Sequence, residues 1–142
     1  MMPDDSLDAA AIHSAWDAVM QRAAQLLPYF AENLLKVSAS SVARELDFRR
    51  ADVLARDLRA NRLPPFELLR NGIYVVQLLE CHERGGNLAQ WAQARGHYES
   101  TYYHFIQNAT GCMWTDVVAQ GTVRRKVIEL RRWDSFTGEE SV

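Results

Sequence analysis

No run of apolar residues in this chain approaches the roughly 20 needed to span a bilayer. The greasiest stretch, residues 73–79, is short and holds Gln77. The N-terminus, Met-Met-Pro-Asp-Asp, lacks the basic head and apolar core of a secretory signal. From these absences we expect a cytoplasmic protein with no membrane contact. Cysteine is rare: Cys81 and Cys112 stand far apart with no CxxC, which fits reduced core thiols better than a disulfide framework. With only seven Gly and four Pro, and with Ala, Leu, Arg and Glu abundant, helices are favoured over a sandwich or barrel. Strict apolar–polar alternation never persists for long, so no strand is expected. No phosphate-cradling Gly loop, HExxH or GxSxG occurs. His97, His104 and Cys112 lack the tight spacing and Cys pair of known zinc sites. The sequence therefore predicts no enzyme, no metal and no cofactor.

What is present fits one ordinary globular domain of 142 residues, 48% hydrophobic and 24% charged. A chain of this length can bury a core without staples. The net charge of −2 is unevenly spread. Residues 1–38 carry Arg22 and Lys36 against five acids, residues 39–133 carry fourteen basic against ten acidic side chains, and residues 134–142 carry three acids only. A mildly basic middle lies between acidic ends.

Periodicity predicts a first helix over 6–27, capped by Ser6, with Leu7, Ile12, Trp16, Val19, Met20 and Leu26 on one face. Pro28 restarts a short second helix carrying Tyr29, Phe30, Leu34 and Leu35. Ser38, Ser40 and Ser41 offer caps for a third over 41–46, with Val42, Ala43 and Leu46 inward. Asp47 turns the chain into a fourth over 50–61 that buries Val53, Leu54 and Leu58. Pro64-Pro65 opens a fifth to His82, with Phe66, Leu69, Ile73, Val76 and Leu79 inward, ended by Gly85-Gly86. Asn87 caps a sixth carrying Leu88, Trp91 and Ala92, and Gly96 breaks it. A seventh, over 99–109, presents Tyr102, Phe105 and Ile106 and stops at Gly111. The last begins near Thr115 and is expected to continue to Trp133.

Two segments share one shape: a short helix, a tight turn and a second helix. The first reads Val42-Ala43-Arg44-Glu45-Leu46-Asp47-Phe48, the second Trp91-Ala92-Gln93-Ala94-Arg95-Gly96-His97. In such a unit the Ala is small because the second helix crosses closely over it, and the residue four later reverses the chain. The pair, joined by an amphipathic helix, resembles the DNA-binding domain of the AraC family of transcription regulators over about residues 29–118. Pro65-Phe66-Glu67-Leu68-Leu69-Arg70 and the stretch from Ser100 to Gly111 add to the likeness. The chain departs from the family at Asp47, often Gly there, and at Trp114-Thr115-Asp116-Val117-Val118, where the family has Pro-x-x-Tyr-Arg.

The resemblance implies an all-α fold with two homeodomain-like helix-turn-helix subdomains of three helices each, joined by a linker helix. Its divisions are an N-terminal helical extension (1–28), a first subdomain (29–63), the linker (64–84), a second subdomain with the C-terminal helix (85–133) and an acidic tail (134–142). It implies a sequence-specific double-stranded DNA-binding transcription regulator, nucleoid-associated in a bacterium, with two recognition helices in successive major-groove segments about 34 Å apart. In the first recognition helix Arg49 and Arg50 stand at the N-terminal end, with Arg56 and Arg59 following; Asp52 and Asp57 offer a solvated ion-pair alternative, and Arg56 a buried one. The second helix carries no Lys or Arg, and its polar face is Glu99, Ser100, Thr101, His104, Gln107 and Asn108, with Gln and Asn suited to adenine and Glu99 repelling phosphate unless it meets a cytosine amino group. Arg124, Arg125 and Lys126 head the densest basic cluster and are candidates for phosphate contact, or for a charged face on a helix packed through Val123, Val127, Leu130 and Trp133. The extension, with Trp16 and Met20, completes the first core, pairs with a second copy, or docks RNA polymerase or another protein. The alternative function is a helical protein–protein interaction module on the same fold that has lost DNA binding.

Overall fold

The computed structural model describes residues 8–27, 38–46 and 51–137. The described residues form seven helices and no strand: α1 (Ala9–Arg22), α2 (Ala39–Glu45), α3 (Ala51–Ala60), α4 (Phe66–Glu83), α5 (Leu88–Ala94), α6 (Glu99–Thr110) and α7 (Trp114–Thr137). The protein is all-α. The first helix, expected over 6–27, runs over Ala9–Arg22 and takes its cap from Asp8 where Ser6 was expected. The short helix after Pro28, the turn at Asp47 and the cations Arg49 and Arg50 lie outside the described residues.

Local chemistry explains most of the helix ends. Asp8 accepts a hydrogen bond from the Ala10 amide at 3.0 Å and starts α1. Ser38 and Ser41 form a reciprocal capping box at 3.1 Å in each direction and start α2. Asn87 accepts from the Gln90 amide at 2.8 Å and starts α5. Gly111, at φ 74°, closes α6 in the left-handed conformation that a residue without Cβ adopts readily.

Two apolar cores share α4. The first gathers Trp16 and Val19 of α1, Ala23 and Leu26 beyond it, Val42 and Ala43 of α2, Leu54 and Leu58 of α3, and Phe66, Leu69, Ile73 and Val76 of α4. The second joins Tyr74, Val75, Leu78 and Leu79 from the other side of α4 to Leu88, Ala92, Tyr102, Ile106, Ala109 and Val117. Helix α4 is thus buried nearly all round, as a helix between two cores must be. Of the three roles open to the N-terminal extension, the described part of it fills the first: α1 helps to build the first core. Val53, expected inward, is half-buried.

The last helix differs from expectation. It is interrupted at Gly121, whose φ of 83° and ψ of 167° are open essentially to glycine alone. Glu83, at the end of α4, supplies the new N-terminus, accepting from the Thr122 amide at 3.1 Å and from the Thr122 hydroxyl at 2.6 Å. The arm after Gly121 runs back along α4 and α1 and delivers Trp133 to the first core, where it stacks on Trp16 at 5.0 Å between ring centroids. Glu83→Ala removes this cap and is expected to lower unfolding free energy by about 1 kcal/mol, the usual worth of a lost capping side chain. Thermal melts of the two proteins check it, and coincident midpoints would refute the role.

Gly72 lies where α4 meets that arm. A Cβ built there would stand 2.7 Å from the Trp133 ring and 3.0 Å from the Glu129 carboxylate. Gly72→Ala gains helix propensity of about 1 kcal/mol but forces a buried ring aside, typically a loss of about 1–3 kcal/mol. Net destabilisation in a denaturant titration is the expected outcome.

Candidate nucleic-acid interface

Helix α3 turns Leu54 and Leu58 into the first core and leaves Asp52, Arg56 and Arg59 on the outside. Arg56 pairs with Asp52 at 3.7 Å, both side chains more than half exposed, so this is a surface i,i+4 pair and not the buried one considered from the sequence. Such pairs add little stability and exchange readily for another anion. Arg59 is exposed one turn further on, and Arg62 follows in a turn with φ 57°. Sequence reasoning passed over Arg62; the Asn61-Arg62 turn ahead of Pro64-Pro65 was the signal available for it.

Helix α6 buries Tyr102, Ile106 and Ala109. The same 3.6-residue geometry leaves Ser100, His104, Gln107 and Asn108 exposed and Thr101 half-buried. These five expected positions therefore occupy the solvent side. Glu99 accepts from the Tyr103 hydroxyl at 2.8 Å, and that hydrogen bond, ahead of modest burial, raises the Tyr103 phenol above its ordinary value. Tyr102 is core, its ring stacked on Tyr74 at 6.3 Å. The Tyr74 hydroxyl in turn accepts from the Trp91 indole at 3.1 Å. Burial first, then the hydrogen bond with Tyr74, raises the Tyr102 phenol.

The basic cluster of α7 requires a correction. Arg125 is 2% exposed and Lys126 5% exposed. Arg125 donates to Glu129, itself 2% exposed, at 3.3 Å. Burial lowers the Arg125 pKa against the pull of Glu129, and raises the Glu129 carboxyl against the pull of Arg125 and Arg132. Lys126 donates to Nδ1 of His13 at 3.0 Å and lies 5.6 Å from the Trp16 ring centre. Neither cation is at the surface where a phosphate would meet it. The physical reason is register: Thr122, Arg125, Lys126, Glu129 and Trp133 form one i, i+3/i+4 stripe, and that stripe faces inward. Arg124 is half-buried, and Arg132 donates to the Ala109 carbonyl at 3.0 Å, tying α7 to α6.

The exposed candidates are therefore Arg56 and Arg59 on α3 and the cation-free polar face of α6. Among the described residues no group of three or more His, Cys, Asp or Glu gathers as metal ligands would. His97 packs edge-on against Tyr102 at 5.8 Å, while His104 is exposed and Cys112 half-buried. None of the helices is long and apolar enough to cross a membrane, among the described residues. Comparison with protein-family models, with curated proteins and with solved structures finds no match.

Proposed function

We propose that the chain is a double-stranded DNA-binding regulatory protein of two helix-turn-helix lobes, related to the AraC family by its twin motif, in which α3 and α6 enter the major groove. The observation that carries this reading is the equivalence of Ala43 and Ala92. Each is 1% exposed, each lies on a seven-residue helix, and each belongs to a different core on either side of α4. In both lobes the following longer helix keeps a polar face in solvent. Arg56 and Arg59 supply charge to phosphate or base edges from α3, and Ser100, Thr101, His104, Gln107 and Asn108 supply hydrogen bonds from α6.

Titration of a labelled mixed-sequence duplex tests the reading. Binding should be saturable at low salt and should weaken steeply between 50 and 200 mM salt, as roughly expected when several phosphates are neutralised. No binding at about 100 μM protein in low salt would reject it.

One observation favours a second reading, the protein-interaction module. Helix α6 carries no cation of its own, while Tyr98 and Met113 beside it are 82% and 57% exposed. A partner protein would find an aromatic and polar surface there.

A further inference from the structure

Beside α3 lies a groove of about 320 Å³ between that helix, the turn that follows it and the last turn of α7. Its volume falls at the lower end of the roughly 300–1,000 Å³ of small-molecule sites. Leu58, Leu63 and Phe66 form its floor, each nearly fully buried, and Pro64-Pro65 make one wall. Phe136 stands at its edge, 45% exposed, a large apolar ring that neither core absorbs. The walls are fixed before any ligand arrives. The Leu63 amide donates to the Leu58 carbonyl at 2.8 Å, the Arg62 amide to the Arg59 carbonyl at 3.0 Å, and the two prolines lock their own φ.

Among the described residues Arg59 is the one charged side chain lining this groove, and it makes no ion pair with any of them. An apolar trough with a guanidinium at its rim is complemented by a short hydrophobic body ending in an anionic group that the planar fork can grip, and a carboxylate is such a group. We propose that the groove binds a small amphipathic carboxylate, aliphatic or aromatic, with its apolar part on Leu58, Leu63, Phe66 and Phe136 and its carboxylate on the Arg59 guanidinium. A planar guanidinium meets a carboxylate with two parallel hydrogen bonds, which sets the ligand's direction in the groove. The inference shares Arg59 with the DNA reading, but its test is read without DNA, so the failure of either leaves the other standing.

The test is amide chemical-shift mapping of the full chain with hexanoate and phenylacetate, each against its neutral amide. The expected result is saturable shifts confined to residues 55–66 and the end of α7, with the acids binding roughly ten-fold more tightly than the amides. Arg59→Gln, an exposed and fold-neutral change, should bring acid and amide to equal affinity, and Phe136→Ala should weaken both. No saturable shift at about 10 mM of either acid overturns the proposal. So does an acid-to-amide ratio that Arg59→Gln leaves unchanged. Shifts that an acidic aromatic peptide produces but neither small acid does would give the groove to a protein partner. Shifts that follow protein concentration alone would give it to a second copy of the chain. Either result refutes the small-carboxylate assignment.

Discussion

Glu129→Ala is expected to lower the unfolding free energy by about 3–5 kcal/mol, the usual cost of leaving one member of a buried ion pair uncompensated. The change strands Arg125, which is 2% exposed and held by Glu129 at 3.3 Å. For a chain of this size the melting temperature should fall by about 10 °C or more. Glu129→Gln, which keeps the shape and an acceptor for Arg125, should cost less. The double change Arg125→Met with Glu129→Leu should recover most of the loss, because an apolar pair of similar volume needs no compensation. A double variant as unstable as Glu129→Ala would show that packing, and not charge, fixes this site. The pH dependence has a definite sign. Burial raises the Glu129 carboxyl above its ordinary value. The folded chain then holds that proton more tightly than the unfolded chain, so this group's contribution to stability grows as pH falls through its folded pKa and is lost as pH rises through it.

The second large effect concerns binding. Reversing both exposed cations of α3, Arg56→Glu with Arg59→Glu, is expected to weaken duplex binding by roughly 100-fold at low salt and to reduce the salt slope by about two. Stability should barely change, since Arg56 holds only an exposed surface pair with Asp52 and Arg59 none among the described residues. Competition binding at several salt concentrations, with a thermal melt beside it, checks both halves. Unchanged affinity would remove α3 from the interface and favour the protein-interaction module.

How far the sequence led depends on the kind of signal. Caps and stops were legible where one side chain or one missing Cβ decides them: the Asn87 cap and the Gly111 stop appear where expected, and the capping box joins two of the serines expected to cap α2. Inward apolar residues of α4 were legible because the period of 3.6 repeats over its 18 residues. Its second buried side, with Tyr74, Val75 and Leu78, reflects contact with a core that lies far along the chain. The arm after Gly121 misled for a related reason. Val123, Val127, Leu130 and Trp133 suggested an apolar inner face and a basic outer one; Val127 and Trp133 are indeed buried, but Val123 and Leu130 are only half-buried and Arg125, Lys126 and Glu129 are buried as well. The i,i+4 spacing of Arg125, Glu129 and Trp133 was the available clue, and only the partner surface, Gly72 on α4, gives it meaning. The break at Gly121 likewise depends on Glu83, 39 residues before the Thr122 it caps, which local periodicity does not report.

The twin-lobe account is tested most directly by selecting bound duplexes from a random pool and reading the enriched sequences. Two helices seated in successive major-groove segments should enrich a bipartite motif whose halves are spaced by about 10 base pairs, centre to centre. A pool that remains random after repeated rounds, with no protein–duplex complex recovered at low salt, would contradict it.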